Sequence, residues 1–310
     1  MSALASVLAF VAGVVLVVVA TERLLEGLVG AARLLHVAPF VASAILSGLE
    51  AENVAVGLAA GSRGDAEIAL GTAFGGAIFL VCFALGVGAL IAPLRVSLPR
   101  GVPLLMAAMP VIAGAALIGP TTPRLAGAGL LMAFVLAMAY LIRTARGHRF
   151  LGTEQDDDAE ARPTWKIVLF TLGGIVVISI GGELVARGAT GVIAAFGVPA
   201  LLMGMVVTPA AIEAEEVIRQ VIPARRGHPD VAAGNVVGTI LYFVLFNLGL
   251  ISLLTPVAVP RLTRTLDWPA LVVACGVASI FLARGRVARL EGAVLVALGL
   301  AYAAAHLLLR

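Results

Sequence analysis

Long apolar stretches recur along almost the whole chain, and they restrict its fold more than any other feature of the sequence. Each is about 18 residues or longer, which is enough for an α-helix to cross a hydrocarbon core of about 30 Å. Reading these stretches against turn signals predicts an all-α membrane protein with ten transmembrane helices. The predicted spans are 3–31, 38–61, 66–92, 102–118, 123–142, 165–190, 199–222, 231–256, 267–283 and 289–308.

The amino-acid composition excludes a water-soluble domain. Apolar residues make up 61% of the 310 residues and charged residues only 13%, against roughly 25% charged in a soluble domain. The 35 glycines are typical of membrane helices that approach each other closely. The net charge is only +3 and no basic stripe alternates with aromatic residues, so no nucleic-acid partner is expected.

The sequence contains an internal repeat at a shift of 163 residues. An ungapped alignment of 41–96 with 204–259 has 16 identities in 56 positions. The identities include Glu50-Ala51-Glu52 on Glu213-Ala214-Glu215 and Arg63-Gly64 on Arg226-Gly227. Each copy has five predicted spans, and an odd number makes the second copy enter the membrane from the opposite side. The prediction is two inverted repeats, in which substrates bind near the midplane at the repeat interface.

The domain boundaries follow from this repeat. Residues 1–146 form the first five-helix repeat and 165–310 the second, and the polar connection 147–164 is a solvated linker. Arginine and lysine are concentrated in the odd-numbered connections between spans. Arg219 is counted in the connection between the seventh and eighth spans. Because basic residues favour the cytoplasmic side, both termini are expected outside a multi-pass cell (cytoplasmic) membrane, with the linker inside.

Five glutamates lie inside the second and seventh predicted spans, the most self-similar part of each copy. Each ionisable group at the centre of such a helix costs roughly 2.5–3.5 kcal/mol on insertion, which indicates a functional role. Location near the interface, or pairing with Arg23 or Arg187, is the alternative explanation. The second and seventh spans contain these residues, which are Glu50, Glu52, Glu213, Glu215 and Glu216.

Helix geometry divides these carboxylates between faces. Residues three apart lie on nearly one side of a helix, so Glu50 can point with Asn53 and Glu213 with Glu216. Glu52 is displaced by about 200° from Glu50, as Glu215 is from Glu213, and only a broken helix brings them together. Carboxylate and carbonyl oxygens suit a hard cation such as Ca²⁺. No His or Cys lies near the motif to favour zinc or copper.

The repeat resembles the calcium/cation antiporter superfamily, which includes the sodium/calcium exchangers. The resemblance lies in the segments 63–71 and 226–235, which follow the family motif in order and spacing. It implies that Glu216 is a metal-binding glutamate, whereas the matching position in the first copy is Asn53. It also implies Thr72 and Asn235 as polar groups at the starts of the next helices. The later ligand positions of the family hold Ala77 and Ile240, which cannot bind a cation.

The function expected is secondary active antiport of a cation, with Ca²⁺ exchanged against Na⁺ or H⁺ by alternating access. Its partners are metal cations and the lipid bilayer, and no cofactor is expected. Alternatives are a Na⁺/H⁺ or Mn²⁺/H⁺ exchanger and a non-transporting membrane protein. An enzyme is not expected, because the sequence has no HExxH pair and no Ser/His or Cys/His arrangement. The predicted ligands are Glu50, Asn53, Glu213 and Glu216, with Glu52, Glu215, Thr72 and Asn235 as further candidates.

Overall fold

The computed structural model describes residues 3–46, 51–145, 164–195 and 214–309, and helices dominate all four ranges. Up to residue 145 the elements are α1 (Ala3–Leu35), α2 (Pro39–Leu46), α3 (Ala51–Arg63), α4 (Ala66–Phe79), a π-helical turn (Leu80–Ala84), α5 (Leu85–Ile91), strand β1 (Leu94–Arg95), α6 (Gly101–Ala113), a 3-10 turn (Gly114–Leu117) and α7 (Arg124–Ala145).

From residue 164 onward the described elements follow a similar order. They are α8 (Thr164–Ala195), α9 (Ala214–Arg225), α10 (Pro229–Leu241), a π-helical turn (Tyr242–Asn247), α11 (Leu248–Leu254), a second π-helical turn (Thr263–Asp267), α12 (Trp268–Ala283), strand β2 (Arg286–Val287) and α13 (Arg289–Leu308).

Among the described residues, seven helical segments are long and apolar enough to cross a membrane. They are Ala3–Leu35, Ala66–Ile91, Arg124–Thr144, Thr164–Val185, Pro229–Leu254, Thr263–Ala283 and Arg289–Leu308. The shorter apolar helix Gly101–Leu117 corresponds to the predicted fourth span. The predicted spans 38–61 and 199–222 extend into residues outside the described ranges. The prediction of membrane helices is therefore confirmed, and the number ten stays a prediction.

Two segments form the centre of the bundle, Ala66–Ile91 and Pro229–Leu254, and they are the most buried of the seven. Each is interrupted by a π-helical turn, at Leu80–Ala84 in one and Tyr242–Asn247 in the other. These turns occupy matching positions of the internal repeat. Their apolar side chains belong to one continuous core with those of α2, α6 and α12. The two copies of the repeat therefore contribute equivalent helices to the core.

Helices α1 and α8 pack against each other in opposite directions. Gly13 lies against Gly181 and Val185, whereas Gly27, further along α1, lies against Thr171, which comes earlier in α8. A Cβ atom at either of these two α1 glycines would come within 3 Å of backbone atoms of α8. Small residues allow this close approach, which is a common way for helices to associate in lipid.

The two Arg-Gly pairs, at matching positions of the repeat, form the same turn in both copies. Gly64 and Gly227 have φ of +79° and +81°, a left-handed conformation that glycine adopts without strain. In each turn the amide after the glycine donates to a carbonyl five residues earlier, Asp65 to Ala60 at 3.0 Å and His228 to Pro223 at 2.9 Å. This bond is typical of a Schellman helix end. It reverses the chain, so that α3 packs beside α4 and α9 beside α10.

Candidate cation site

Among the predicted ligands whose side chains the structure describes, Glu216 is the most deeply buried carboxylate. It lies on α9, and none of its surface is exposed. Its Oε2 accepts a hydrogen bond of 2.6 Å from Nδ2 of Asn235 on α10, and its Oε1 accepts one from Nη1 of Arg219. The turn at Gly227 brings α10 back alongside α9, which places Asn235 next to Glu216 although 19 residues separate them. Two second-copy residues that the resemblance implies at the site are therefore in direct contact.

Arg219 completes a buried network with these two residues. Its side chain is 7% exposed, and its Nη2 donates to Oδ1 of Asn235 at 2.9 Å. Its Nη1 also lies 3.8 Å from Oε1 of Glu215. Residues three and four apart share a helix face, so Arg219 faces both Glu216 and Glu215 from one turn further along α9. One guanidinium thus contacts both glutamates and the amide of Asn235.

Burial makes this network sensitive to the loss of any charge. A charged pair in a low-dielectric interior needs close geometry and further hydrogen bonds to offset its desolvation. Here Arg219 and Glu216 each form a further hydrogen bond with Asn235. Two carboxyl groups face one guanidinium, so acidic groups outnumber basic groups in this network. Clustered carboxyl oxygens suit a small hard cation.

The matching residues of the first copy are arranged differently. Asn53 and Thr72 take the positions of Glu216 and Asn235, and Val56 takes the position of Arg219. Thr72 Oγ1 accepts a hydrogen bond of 3.2 Å from Nδ2 of the buried Asn247, which lies at the end of the second-copy π-helical turn. Val56 is 49% exposed. The first copy thus has the uncharged Asn53 and Val56 where the second has the charged Glu216 and Arg219.

Several predicted ligands cannot be placed. Glu50 and Glu213 lie outside the described residues, and so does the side chain of Glu52, which lies on α3. In the described ranges, no group of three or more His, Cys, Asp or Glu side chains is arranged to hold a metal ion. The structure therefore brings together Glu216, Asn235 and Glu215, and cation binding at the full set stays a prediction.

Sequence reasoning missed two buried residues at this site. Arg219 was assigned to a connection between spans because it lies near a predicted span end, but its side chain is buried in the network. Its spacing of three and four residues from Glu216 and Glu215 is the signal that could have identified it. Asn247 matches Ala84 in the other copy, so the repeat gave no indication of its polar contact with Thr72.

A small crevice of about 10 Å³, roughly the space of one water molecule, borders the network. Its lining comes from α1, α2, α9 and α10 and consists of Thr21, Leu24, Leu25, Leu28, Ser43, Arg219, Pro223, Val231 and Asn235. The Thr21 hydroxyl is buried, and it has no hydrogen-bond partner among the described residues. The crevice therefore has room for a water-sized guest next to Arg219 and Asn235.

Comparison with known proteins agrees with this geometry. The family model described as sodium/calcium exchanger protein matches residues 5–143 and 166–308. Inner membrane protein YrbG of Escherichia coli (strain K12) is 26% identical over 274 residues, 85% of this chain and 84% of that protein. The putative antiporter CaxA of Alkalimonas amylolytica is 26% identical over 253 residues, 79% of each chain.

Solved structures share the fold. The sodium-calcium exchanger NCX_Mj soaked with zero Na⁺ and Ca²⁺ superimposes with a TM-score of 0.82 at 19% identity, covering 97% of this chain and 98% of that one. The same exchanger soaked with 10 mM Na⁺ and 10 mM Sr²⁺ gives a TM-score of 0.79 over the same shares of both chains.

Fold and family together define a multi-pass membrane protein of the cation antiporter class. The chain belongs to the sodium/calcium exchanger family, whose model matches both copies of its repeat. Family and fold are those of transporters.

Proposed function

We propose that this antiporter exchanges Ca²⁺ against Na⁺ or H⁺ by alternating access at a carboxylate site near the midplane of the bilayer. The observation that carries the proposal is the buried contact of Glu216 with Asn235, at positions that the exchanger motif implies. Carboxylate and amide oxygens are ligands that Ca²⁺ prefers. The small crevice lined by Arg219 and Asn235 lies next to these oxygens, which supports a place for a small ion there.

The proposed site draws ligands from both copies of the repeat. Glu50 and Asn53 contribute from the first copy, and Glu213 and Glu216 from the second. Glu52, Glu215, Thr72 and Asn235 are further candidates. The direct bond between Thr72 and Asn247 supports a polar meeting point of the two copies, because these residues belong to different copies.

The proposed architecture has ten spans in two inverted five-helix repeats, residues 1–146 and 165–310. Two contacts support a two-fold relation between the copies because a shift of 163 residues exchanges them. A Cβ at Gly57 would lie 2.8 Å from the side chain of Ile251, and one at Gly88 would lie 2.8 Å from that of Gln220. Each copy thus uses the same helix face against the other.

The proposed location is the cytoplasmic membrane, with both termini outside and the linker 147–164 inside. The excess of basic residues in the odd-numbered connections supports this orientation. The printed name of the Escherichia coli relative, an inner membrane protein, supports the same membrane.

A second candidate is exchange of Na⁺ or Mn²⁺ against H⁺. Arg219 favours the Na⁺ form of this candidate, because its positive charge reduces the negative charge that the site offers to a divalent ion. The apolar residues Ala77 and Ile240 at the later ligand positions act in the same direction.

Transport by the purified chain in sealed vesicles tests the proposal. Calcium uptake is followed under an imposed Na⁺ gradient and, separately, under a pH gradient. We expect Ca²⁺ to enter under at least one of them, and to stop entering when Glu216 is replaced by Gln. Movement of Na⁺ or Mn²⁺ against protons without any Ca²⁺ would establish the second candidate instead.

A matched control is Glu291→Gln. Glu291 lies in the first turn of α13 and pairs with Arg286 at 3.9 Å, outside the proposed site. This variant should transport at the wild-type rate. Equal loss of uptake in both variants would mean that the assay reports damage to the fold.

A further inference from the structure

The positively charged Arg219 contacts Glu216, the carboxylate that binds the cation in the proposed function. Its Nη1 donates to Glu216 Oε1, and its Nη2 donates to Asn235 Oδ1 at 2.9 Å. A cation bound to Glu216 and Asn235 would need these same oxygens. Since an oxygen that binds a metal ion at close range has little room for a guanidinium as well, the two positive charges compete.

The fold does not require an arginine at this position. The matching residue of the first copy is Val56, so the same helix in the related half accepts an apolar side chain. A buried ion pair is also weak support for stability, because replacing both partners with apolar groups is often neutral or stabilising. The presence of Arg219 is therefore better explained by a role at the site than by packing.

Glu215 is a second partner within reach of Arg219. Glu215 Oε1 lies 3.8 Å from Nη1, close enough for a small rotation of the guanidinium to form a hydrogen bond. The side chain also lines the crevice, next to the unpartnered hydroxyl of Thr21. A shift toward Glu215 would release oxygens of Glu216 and Asn235 without leaving the positive charge alone in the bilayer.

We propose that Arg219 is a resident counter-cation, which neutralises Glu216 in the cation-free protein and moves to Glu215 when a cation binds. This inference rests on the proposed function in that Glu216 is a cation ligand. Glu215 then acts as a positioning residue that accepts the displaced guanidinium. The built-in charge weakens cation binding, and it keeps the empty site from holding an uncompensated carboxylate.

Thermal unfolding of the purified full chain in detergent tests the competition. Stabilisation is measured against rising CaCl₂, MnCl₂ and NaCl, with choline chloride at matched ionic strength as the reference. In Arg219→Met, which keeps an unbranched apolar stem without the guanidinium, we expect the half-maximal concentration of at least one of these cations to fall by roughly tenfold or more. Without added cation this variant should unfold at a lower temperature than the wild type.

The matched control is Arg187→Met. Arg187 also pairs with a glutamate one helical turn away, Glu183, but both side chains are more than half exposed. Its response to each cation should equal that of the wild type. If Arg219→Met is destabilised but its half-maximal cation concentrations are no lower than those of the wild type, Arg219 only stabilises the fold and the proposal is wrong.

A second variant tests the partner exchange independently. Glu215→Gln keeps the hydrogen-bonding shape but removes the charge that receives Arg219. We expect the half-maximal cation concentration to rise several-fold, because displacement of Arg219 becomes less favourable. An unchanged value would overturn the role of Glu215 as the second partner.

The outcomes separate this inference from the proposed function. Tighter cation binding in Arg219→Met together with no cation flux by the wild type in vesicles would reject antiport of the tested ions and keep the competition. Flux by the wild type together with unchanged binding in Arg219→Met would do the reverse.

Discussion

The two copies of the repeat use the same helices to hold very different polar groups. In the second copy Glu216, Arg219 and Asn235 form a charged network with almost no exposed surface. At the matching positions the first copy has Asn53, Val56 and Thr72, all uncharged. Turns and π-helical interruptions nevertheless recur at matching places in both.

This difference shows that the helical framework and the chemistry of the site are specified separately. Glycines at the turns and small residues at helix contacts maintain the framework, and they are identical in the two copies at Gly64 and Gly227. Polar residues differ at matching positions without disturbing it, and Thr72 finds its partner Asn247 in the other copy. Among the described side chains of the site, the buried ion pair of Glu216 with Arg219 has no charged counterpart at Asn53 and Val56.

The largest effect that this asymmetry predicts comes from Glu216→Gln. The substitution removes the closest partner of the buried Arg219, and breaking a buried pair costs about 3–5 kcal/mol, an upper bound here because Arg219 can still turn to Glu215. We expect abolished cation flux and a large fall in unfolding temperature in detergent. The counterpart Asn53→Ala should lower the unfolding temperature much less, because Asn53 is only partly buried. Equal losses would show that the two copies contribute equally.

An intermediate effect is expected for Asn235→Ala. This change removes the donor to Glu216 and the acceptor from Arg219, each a hydrogen bond to a charged group, worth about 1.5–3 kcal/mol. Thr72→Val, its counterpart, removes one neutral hydrogen bond, worth about 0.5–1.5 kcal/mol. Denaturant or thermal unfolding of both variants measures the difference. A larger loss for Thr72→Val would contradict the unequal energetics of the two copies.

The smallest effect concerns the two arginines of the Arg-Gly turns. Arg226 pairs with Glu22 of α1, but both side chains are largely exposed, and such pairs contribute about 0–1 kcal/mol. Arg63 donates to the carbonyl of Ala59 in its own helix at 3.2 Å. We therefore expect Arg226→Ala and Arg63→Ala to change the unfolding temperature slightly and equally. A much greater loss for Arg226→Ala would indicate that its link to α1 matters to the fold.

Most of the framework could be predicted from the sequence, because apolar length and the internal repeat are strong signals. The described helices Ala66–Ile91 and Pro229–Leu254 correspond to predicted spans within a few residues. The π-helical turns could not be predicted, since a shift from i−4 to i−5 hydrogen bonds has no signature in composition. They became visible as a repeated feature only in the structure.

The site was predicted less completely than the framework. The motif indicated Glu216 and Asn235, which are in contact, although they are far apart in sequence. Arg219 was missed because an arginine near a span end is usually solvated, and only neighbouring carboxylates reverse that preference. No local pattern in the sequence shows that the guanidinium turns inward. That outcome depends on α10 returning beside α9.

The glycine-lined contact between α1 and α8 has a mechanical consequence. Because the two backbones pack closely over several turns, we expect α1 and α8 to move together as one unit. Leu24 of α1 lines the crevice and Gly182 of α8 lies against Glu215. A displacement of this helix pair therefore changes the crevice and the environment of that carboxylate together.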